Sequence, residues 1–292
     1  MSHRSGCIAI VGRPNVGKST LLNRLVGTKI AIVSPRPQTT RRRILGVTTL
    51  PDAQMLFYDT AGWHRPRSLM NKRMVKDTEG AIADADVVLW VVDALTGLRA
   101  EDRELCERLR SCQRSLCVAL NKIDRRARVK LLPQLGELGE LLPEAEIVPV
   151  SALDGANVDE LITVLARLLP EGPRYYDDDT ITDQTERTLV EEVVREQVLL
   201  QTRQEVPYAV GVVVEKFEER GDLAVVAAAI QVERRSQKGI LIGAGGTRIR
   251  EIGRAARVEA ERILGRRVYL ELFVRVDEEW TSNPRRLDEM GL

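Results

Sequence analysis

The sequence predicts two α/β-type units in succession: a mostly parallel sheet with helices on both faces, then a smaller α+β module. Three observations carry that reading. Gly12-Arg-Pro-Asn-Val-Gly-Lys18-Ser19 lies between an apolar run, Cys7–Val11, and a helical pattern, Leu21–Val26. That is the strand–loop–helix setting in which a glycine-rich loop curls its N–H groups around a phosphate. From residue 6 to about 169, short apolar runs alternate with helical periodicities, as in a parallel sheet wrapped by helices. Beyond the turn-rich, charged stretch Pro170–Asp179 the order changes to α-β-β-α-α-β.

Each element follows from its pattern. Strands are expected at Cys7–Val11, Ile44–Thr49, Gln54–Tyr58, Val87–Val92, Leu116–Leu120 and Ile147–Val150. Helices are expected at Ser19–Val26, Leu69–Ala83, Glu101–Arg110, Val129–Leu141 and Val158–Leu168. In the second part, Thr185–Leu200 reads as a helix with Leu189, Val193, Val194 and Val198 in register. Two strands, Tyr208–Phe217 and Leu223–Val232, flank a hairpin-type turn. A glycine-rich loop, Gly239–Gly246, then leads into an amphipathic helix to Leu264, a strand Val268–Val276 and a polar tail. The expected division is residues 1–172, a connector 173–182, and 183–292.

Composition narrows the class. The 292 residues are 43% apolar and 30% charged with a net charge of +1, so any attraction for nucleic acid must be local. Cys7, Cys106, Cys112 and Cys117 form no Cys-x-x-Cys pair and only His3 and His64 accompany them, which predicts reduced thiols in a cytoplasmic protein and no thiolate metal centre. The N-terminal apolar run is too short for a signal peptide, and no segment reaches the roughly 20 apolar residues of a membrane span.

Three further stretches define the nucleotide. In the loop Gly12, Arg13, Pro14, Asn15, Val16 and Gly17 supply main chain to the phosphates, Lys18 reaches the β/γ-phosphates, and Ser19, followed by Thr20, is placed for Mg²⁺. Asp59-Thr-Ala-Gly62 closes a strand, so Asp59 can hold Mg²⁺ through water and the Gly62 N–H can bond the γ-phosphate. Asn121-Lys122-Ile-Asp124 follows the next strand but one, where the Asp124 carboxylate can accept from N1–H and the N2 amino group of guanine; adenine lacks that donor pair. Ser151-Ala152-Leu153 would offer main-chain N–H to guanine O6. This succession resembles the translation-factor-like GTPases. In Ser34–Arg41 a threonine should close the Mg²⁺ shell, Thr40 first and Thr39 second. The expected catalytic set is Lys18, Thr40, Asp59 and Gly62. Trp63 stands where a Ras-type enzyme has its water-orienting glutamine. GTPases with a hydrophobic residue there often use an asparagine at the Asn15 position to hold a monovalent cation, so Asn15 is the expected K⁺ ligand.

The second unit carries Gly243-Ala-Gly-Gly246, a GxxG loop that lets a sugar–phosphate backbone approach main-chain N–H groups. With its element order and the arginines from Arg234 to Arg275, it resembles a type II KH module. The expected RNA contacts are Lys238, Ile242, Gly243, Ala244, Gly245, Gly246, Arg248, Ile249 and Arg250, with Ile240 and Leu241 sharing an apolar groove. Ala244 departs from the polar residue common at GxxG centres, and Arg248 would cover that contact.

The segments GRPNVGKST (12–20), QTTRRRILG (38–46), DTAG (59–62), NKID (121–124) and SQKGILIGAGG through GRRVYLELFVRV (236–276) together resemble the Era family of bacterial ribosome-assembly GTPases. The resemblance implies a P-loop GTPase domain followed by a KH domain and a slow intrinsic GTPase with Mg²⁺ and K⁺ as cofactors. It also implies a monomer that binds the 3′ region of 16S rRNA in 30S assembly, with peripheral contact to the cytoplasmic face of the membrane. An RNA-binding protein with a vestigial nucleotide site, and a GTPase acting in tRNA modification or signalling, are the competing readings.

Overall fold

The computed structural model describes residues 3–66, 68–202, 210–278 and 280–291. Nine strands and nine α-helices are defined among the described residues: β1 Arg4–Val11, α1 Lys18–Val26, β2 Ile44–Thr49, β3 Ala53–Asp59, α2 Leu69–Asp84, β4 Val87–Asp93, α3 Ala100–Ser111, β5 Ser115–Asn121, α4 Leu132–Leu141, β6 Glu146–Pro149, α5 Val158–Leu168, α6 Glu186–Gln201, β7 Gly211–Arg220, β8 Leu223–Val232, α7 Arg235–Ile242, α8 Thr247–Leu264, β9 Arg267–Val276 and α9 Pro284–Glu289. By contact the chain forms two compact units: Met1–Ala31, Thr40–Pro66 and Met74–Asp183 in one, Ile32–Thr39, Arg67–Arg73 and Gln184–Leu292 in the other.

The first unit is a six-stranded sheet in the order β2-β3-β1-β4-β5-β6, parallel except for β2, which pairs antiparallel with β3. β4, Val-Val-Leu-Trp-Val-Val-Asp, is buried along its whole length, as a central parallel strand covered on both faces must be. One face packs Ile8, Ile10, Leu21, Leu89 and Leu161. The other packs Val11, Trp63, Trp90, Leu105 and Leu120. The carboxyl ends of β1, β3 and β5 therefore meet along one edge, where ligands bind in open α/β sheets.

In the second unit β7 and β8 are antiparallel, β8 and β9 parallel, and α6 and α8 pack on them. α8 buries Ile252, Ala256 and Ala260, four residues apart on one stripe, and ends at Gly265 in the left-handed conformation. Three expectations change. Gly239–Ile242 is helical, the end of α7, so the glycine loop shortens to Gly243–Gly246. The buried stripe of α6 begins at Val190, not the half-exposed Leu189. The tail is not merely polar, since Trp280 is fully buried in a 3₁₀ turn before α9. Tyr208, expected to begin a strand, lies outside the described residues.

Candidate nucleotide and RNA sites

The phosphate loop turns from β1 into α1, with Asn15 at φ 64°. Lys18 lies under it, its Nζ donating to the carbonyls of Gly12 and Arg13 at 3.1 Å each. Burial pushes the Lys18 ammonium down to about 8, against the pull of Asp59 and with the push of Arg13. The Arg13 side chain is turned from the loop into an ion pair with the fully buried Asp102 of α3 and a 2.9 Å bond to Thr96 Oγ1. Arg13 thus offers a phosphate its main chain, as does Val16, whose side chain is in the core.

Ser19, Thr40 and Asp59 converge. Ser19 Oγ donates to Asp59 Oδ2 at 2.6 Å, Thr40 Oγ1 donates to the same oxygen at 3.1 Å, and the two hydroxyls are 2.8 Å apart. Burial raises the Asp59 pKa, while Lys18 and the two hydroxyls lower it. Asp59 Oδ1 is buried with no hydrogen-bond partner among the described residues. Three hard oxygen groups, one with an unsatisfied buried lone pair, fit Mg²⁺. Thr39 differs from Thr40: its hydroxyl donates to Arg36 O at 2.7 Å and lies 3.0 Å from Ser34 Oγ. Of the two threonines, Thr40 has the hydroxyl among the oxygen donors.

The Asp59–Gly62 turn is seated on the phosphate loop. The Trp63 N–H donates to Gly12 O at 2.9 Å, and a Cβ on Gly62 would come within 2.7 Å of Pro14 N, so only glycine permits this approach. The Trp63 ring is 3% exposed, in the core with the Arg108 guanidinium 4.8 Å from its centre. Its one polar group is the indole N–H, which donates but cannot accept a hydrogen bond from an attacking water. The neighbouring His64 has Nδ1 2.6 Å from Gly62 O and a buried Nε2 with no partner among the described residues.

The residues expected to recognise the base are braced by their neighbours. Asn121 Nδ2 donates to Val16 O at 2.8 Å, and Lys122 Nζ donates to Asn15 O at 2.6 Å and pairs with Asp93 at 2.7 Å. Ser151 Oγ donates to one oxygen of the exposed Asp124 at 2.7 Å. Of the three expected main-chain donors, Ser151 N–H is taken by Ala156 O and Ala152 N–H by Asn121 Oδ1, which leaves that of Leu153.

In the second unit Gly243, at φ 72°, ends α7, and Gly245 and Gly246 are also left-handed. Arg248 donates to Ile240 O and Arg250 to Gly245 O, each at 2.9 Å, holding the loop from its flanks. Leu241 is fully buried and leaves the expected groove, while Ile242 and Ile249 are half-buried against the core. Beside the loop, α8 and β9 enclose a groove of about 600 Å³ that includes Ile249, Arg250, Arg254, Arg257, Arg267 and Tyr269. The expected basic face divides. Arg262, Arg266 and Arg275 pair with Glu259, Glu186 and Glu215, whereas Arg254, Arg257 and Arg267 have no carboxylate partner among the described residues.

Residues 7–122 match the family described as 50S ribosome-binding GTPase, and 205–281 match the KH domain. GTPase Era of Geotalea uraniireducens is 48% identical over 289 residues, covering 99% of this chain and 97% of that protein. That of Geobacter metallireducens is 46% identical over 290 residues, covering 99% of this chain and 97% of that protein. The chain belongs to the Era GTPase family. Its structure superposes with a TM-score of 0.96 at 42% identity, covering 99% of both chains, on that of Era in complex with MgGDPNP and nucleotides 1506–1542 of 16S ribosomal RNA. The match to a variant of Aquifex aeolicus Era bound to GDP·AlF₄⁻ has the same score and coverage at 41% identity. As an Era GTPase the protein hydrolyses GTP to GDP and phosphate, with a P-loop domain followed by a KH domain.

Sequence reasoning passed over several residues of this Era chain. The Arg13–Asp102 pair joins residues far apart in sequence and has no local signal. Tyr269 was legible: it alternates with the buried Val268 on the edge strand β9 and is exposed, the period-two signature of a face turned away from the core.

Proposed function

We propose that this chain is a nucleotide-dependent switch that binds the 3′ region of 16S rRNA on the 30S subunit during its maturation. The observation that carries the reading is the pairing, in one chain, of a braced guanine-nucleotide site with a GxxG groove. A relative of the same length and fold holds MgGDPNP and 16S rRNA nucleotides together. We assign residues 1–172 to the nucleotide domain, 173–182 to the connector and 183–292 to the RNA domain.

In this reading the loop N–H groups and Lys18 hold the β/γ-phosphates, and Gly62 N–H meets the γ-phosphate. Asp124 selects guanine, and the Leu153 N–H faces O6. Ser19, Thr40 and Asp59 hold Mg²⁺, which neutralises charge on the β- and γ-oxygens when bound. Hydrolysis then proceeds by positioning and charge stabilisation, without an amide at position 63. Asn15 is the residue that would hold K⁺, which would supply positive charge to the phosphates when bound. Equal turnover in potassium and sodium buffers, with no effect of Asn15→Ala, would remove that assignment.

Lys238, the Gly243–Gly246 backbone, Arg248, Ile249 and Arg250 contact RNA along the groove, and Arg254, Arg257 and Arg267 extend its basic wall. No helix among the described residues is long and apolar enough to cross a membrane. Peripheral contact of a cytoplasmic monomer with anionic headgroups is part of the reading, and sedimentation with anionic vesicles tests it. Crosslinking the protein to RNA in cells and sequencing the contact site tests the whole: reads should concentrate at the 16S rRNA 3′ end. Reads spread over tRNA would favour the tRNA-modification reading instead.

A further inference from the structure

A helix that buries charged side chains needs a reason, because a buried charge is costly unless it is paired and hydrogen-bonded. α6 buries three: Glu192, Arg195 and Glu196 are 9%, 4% and 3% exposed. Its apolar stripe, Val190, Val193, Val194 and Val198, already fills the core of the second unit. The charged residues form a second buried surface, and the segment 32–39, which belongs to the same unit, is what they hold. Glu196 Oε1 accepts the Val33 N–H at 2.8 Å. Arg195 Nη2 donates to Thr39 O at 2.5 Å, while the same guanidinium grips Glu192 through two bonds, at 3.0 and 2.5 Å. Between these ends Arg36 donates to Thr202 O at 3.1 Å.

The segment is thus fastened near its start, in its middle and at its last residue. It is also knit internally, through Ser34 Oγ with Arg36 N–H and Thr39 Oγ1 with Arg36 O. Next to the last fastening Gln38 sits at φ 61°, a left-handed conformation that a residue with a side chain keeps only where its surroundings impose it. The residue that follows Thr39 is Thr40, whose hydroxyl lies with Ser19 and Asp59. Holding the Thr39 carbonyl fixes the peptide plane that joins the two residues, and with it the start of Thr40.

We infer that Arg195, oriented by Glu192 and aided by Glu196, is a positioning residue for Thr40: it sets the main chain ahead of the threonine so that the Mg²⁺ shell closes around a nucleoside triphosphate. The inference rests on the reading of Thr40 as a Mg²⁺ and triphosphate residue. A diphosphate, with no γ-phosphate to order this loop, needs Thr40 far less. The positioning therefore discriminates triphosphate from diphosphate, which a merely structural salt bridge would not do.

Arg195→Lys keeps a charge for Glu192 but lacks the planar fork that reaches Glu192 and Thr39 O together. Fluorescent GDPNP and GDP are titrated with Mg²⁺ into the full-length wild type, Arg195→Lys and Arg36→Ala, with the melting temperature measured on each. The expected result is about a tenfold loss of GDPNP affinity in Arg195→Lys and a smaller loss in Arg36→Ala, with GDP affinity within about twofold of wild type in both. Equal losses for both nucleotides, or no loss for either in proteins that melt as wild type does, overturn it. If Arg195→Lys melts lower, Arg36→Ala alone decides by the same criterion. A wild type that binds neither nucleotide would overturn the nucleotide reading itself, a different outcome from lost discrimination.

Discussion

Lys18 has a pKa lowered to about 8 by burial, and an anionic phosphate beside it would hold the ammonium charged. Below about pH 8 the free site is already protonated and nucleotide binding takes up no proton. Above it, binding must restore one, so the Kd for GDP should be flat at lower pH and rise by up to about tenfold per pH unit beyond pH 8. Fluorescent GDP titrated across that range checks the sign; affinity that improves with pH would contradict it. Asp102 makes a stability claim. Asp102→Ala leaves the buried Arg13 guanidinium without its carboxylate, and thermal or urea unfolding should show a loss of about 3–5 kcal/mol. Glu137→Ala, which breaks the exposed pair with Arg103, should cost at most about 1 kcal/mol. At Asp124 the expectation is a change of guest. Asn in its place presents an amide N–H where guanine also donates, and the 2-carbonyl of xanthine accepts it, so Asp124→Asn should exchange GDP for xanthosine diphosphate in competition binding.

Among the elements, the groove between α8 and β9 makes the testable claim. Each arginine that contacts a phosphate of a single strand adds about 0.7 to the slope of log affinity against log salt. Arg254→Ala and Arg257→Ala should each lower that slope by about this amount, while Arg262→Ala, whose partner is Glu259, should leave it unchanged. The same elements show what was legible beforehand. β4 and the other parallel strands announced themselves because both faces are buried and the apolar run is unbroken, and the strand–loop–helix pattern placed the phosphate loop at once. The second half of α7 reads as loop because Gly239 looks like the start of one. Glycine costs a helix only about 1 kcal/mol, and packing of Leu241 into the core outweighs it. The buried charges of α6 were invisible, since Glu-x-x-Arg-Glu on a helix reads as a solvated face until the segment that covers it is known. Trp280 could not be placed because one aromatic in a polar tail has no period.

For the whole molecule, the two units answer different questions: the first holds a guanine nucleotide, the second offers a basic, glycine-looped groove to a single strand. The division between the units falls inside the Ser34–Thr40 stretch: the Thr40 hydroxyl lies with the side-chain oxygens of Ser19 and Asp59, and the residues before it are held by α6. Nucleotide state should therefore be felt in RNA affinity. The direct measurement is the Kd of the full-length protein for an RNA of the 16S 3′ sequence that an Era relative binds, nucleotides 1506–1542, with Mg²⁺ and either GDPNP or GDP at fixed salt. Binding should be tighter with GDPNP than with GDP, and a scrambled RNA of equal length should bind more weakly in both states. Identical affinity in the two nucleotide states, or no preference over the scrambled RNA, would contradict that expectation.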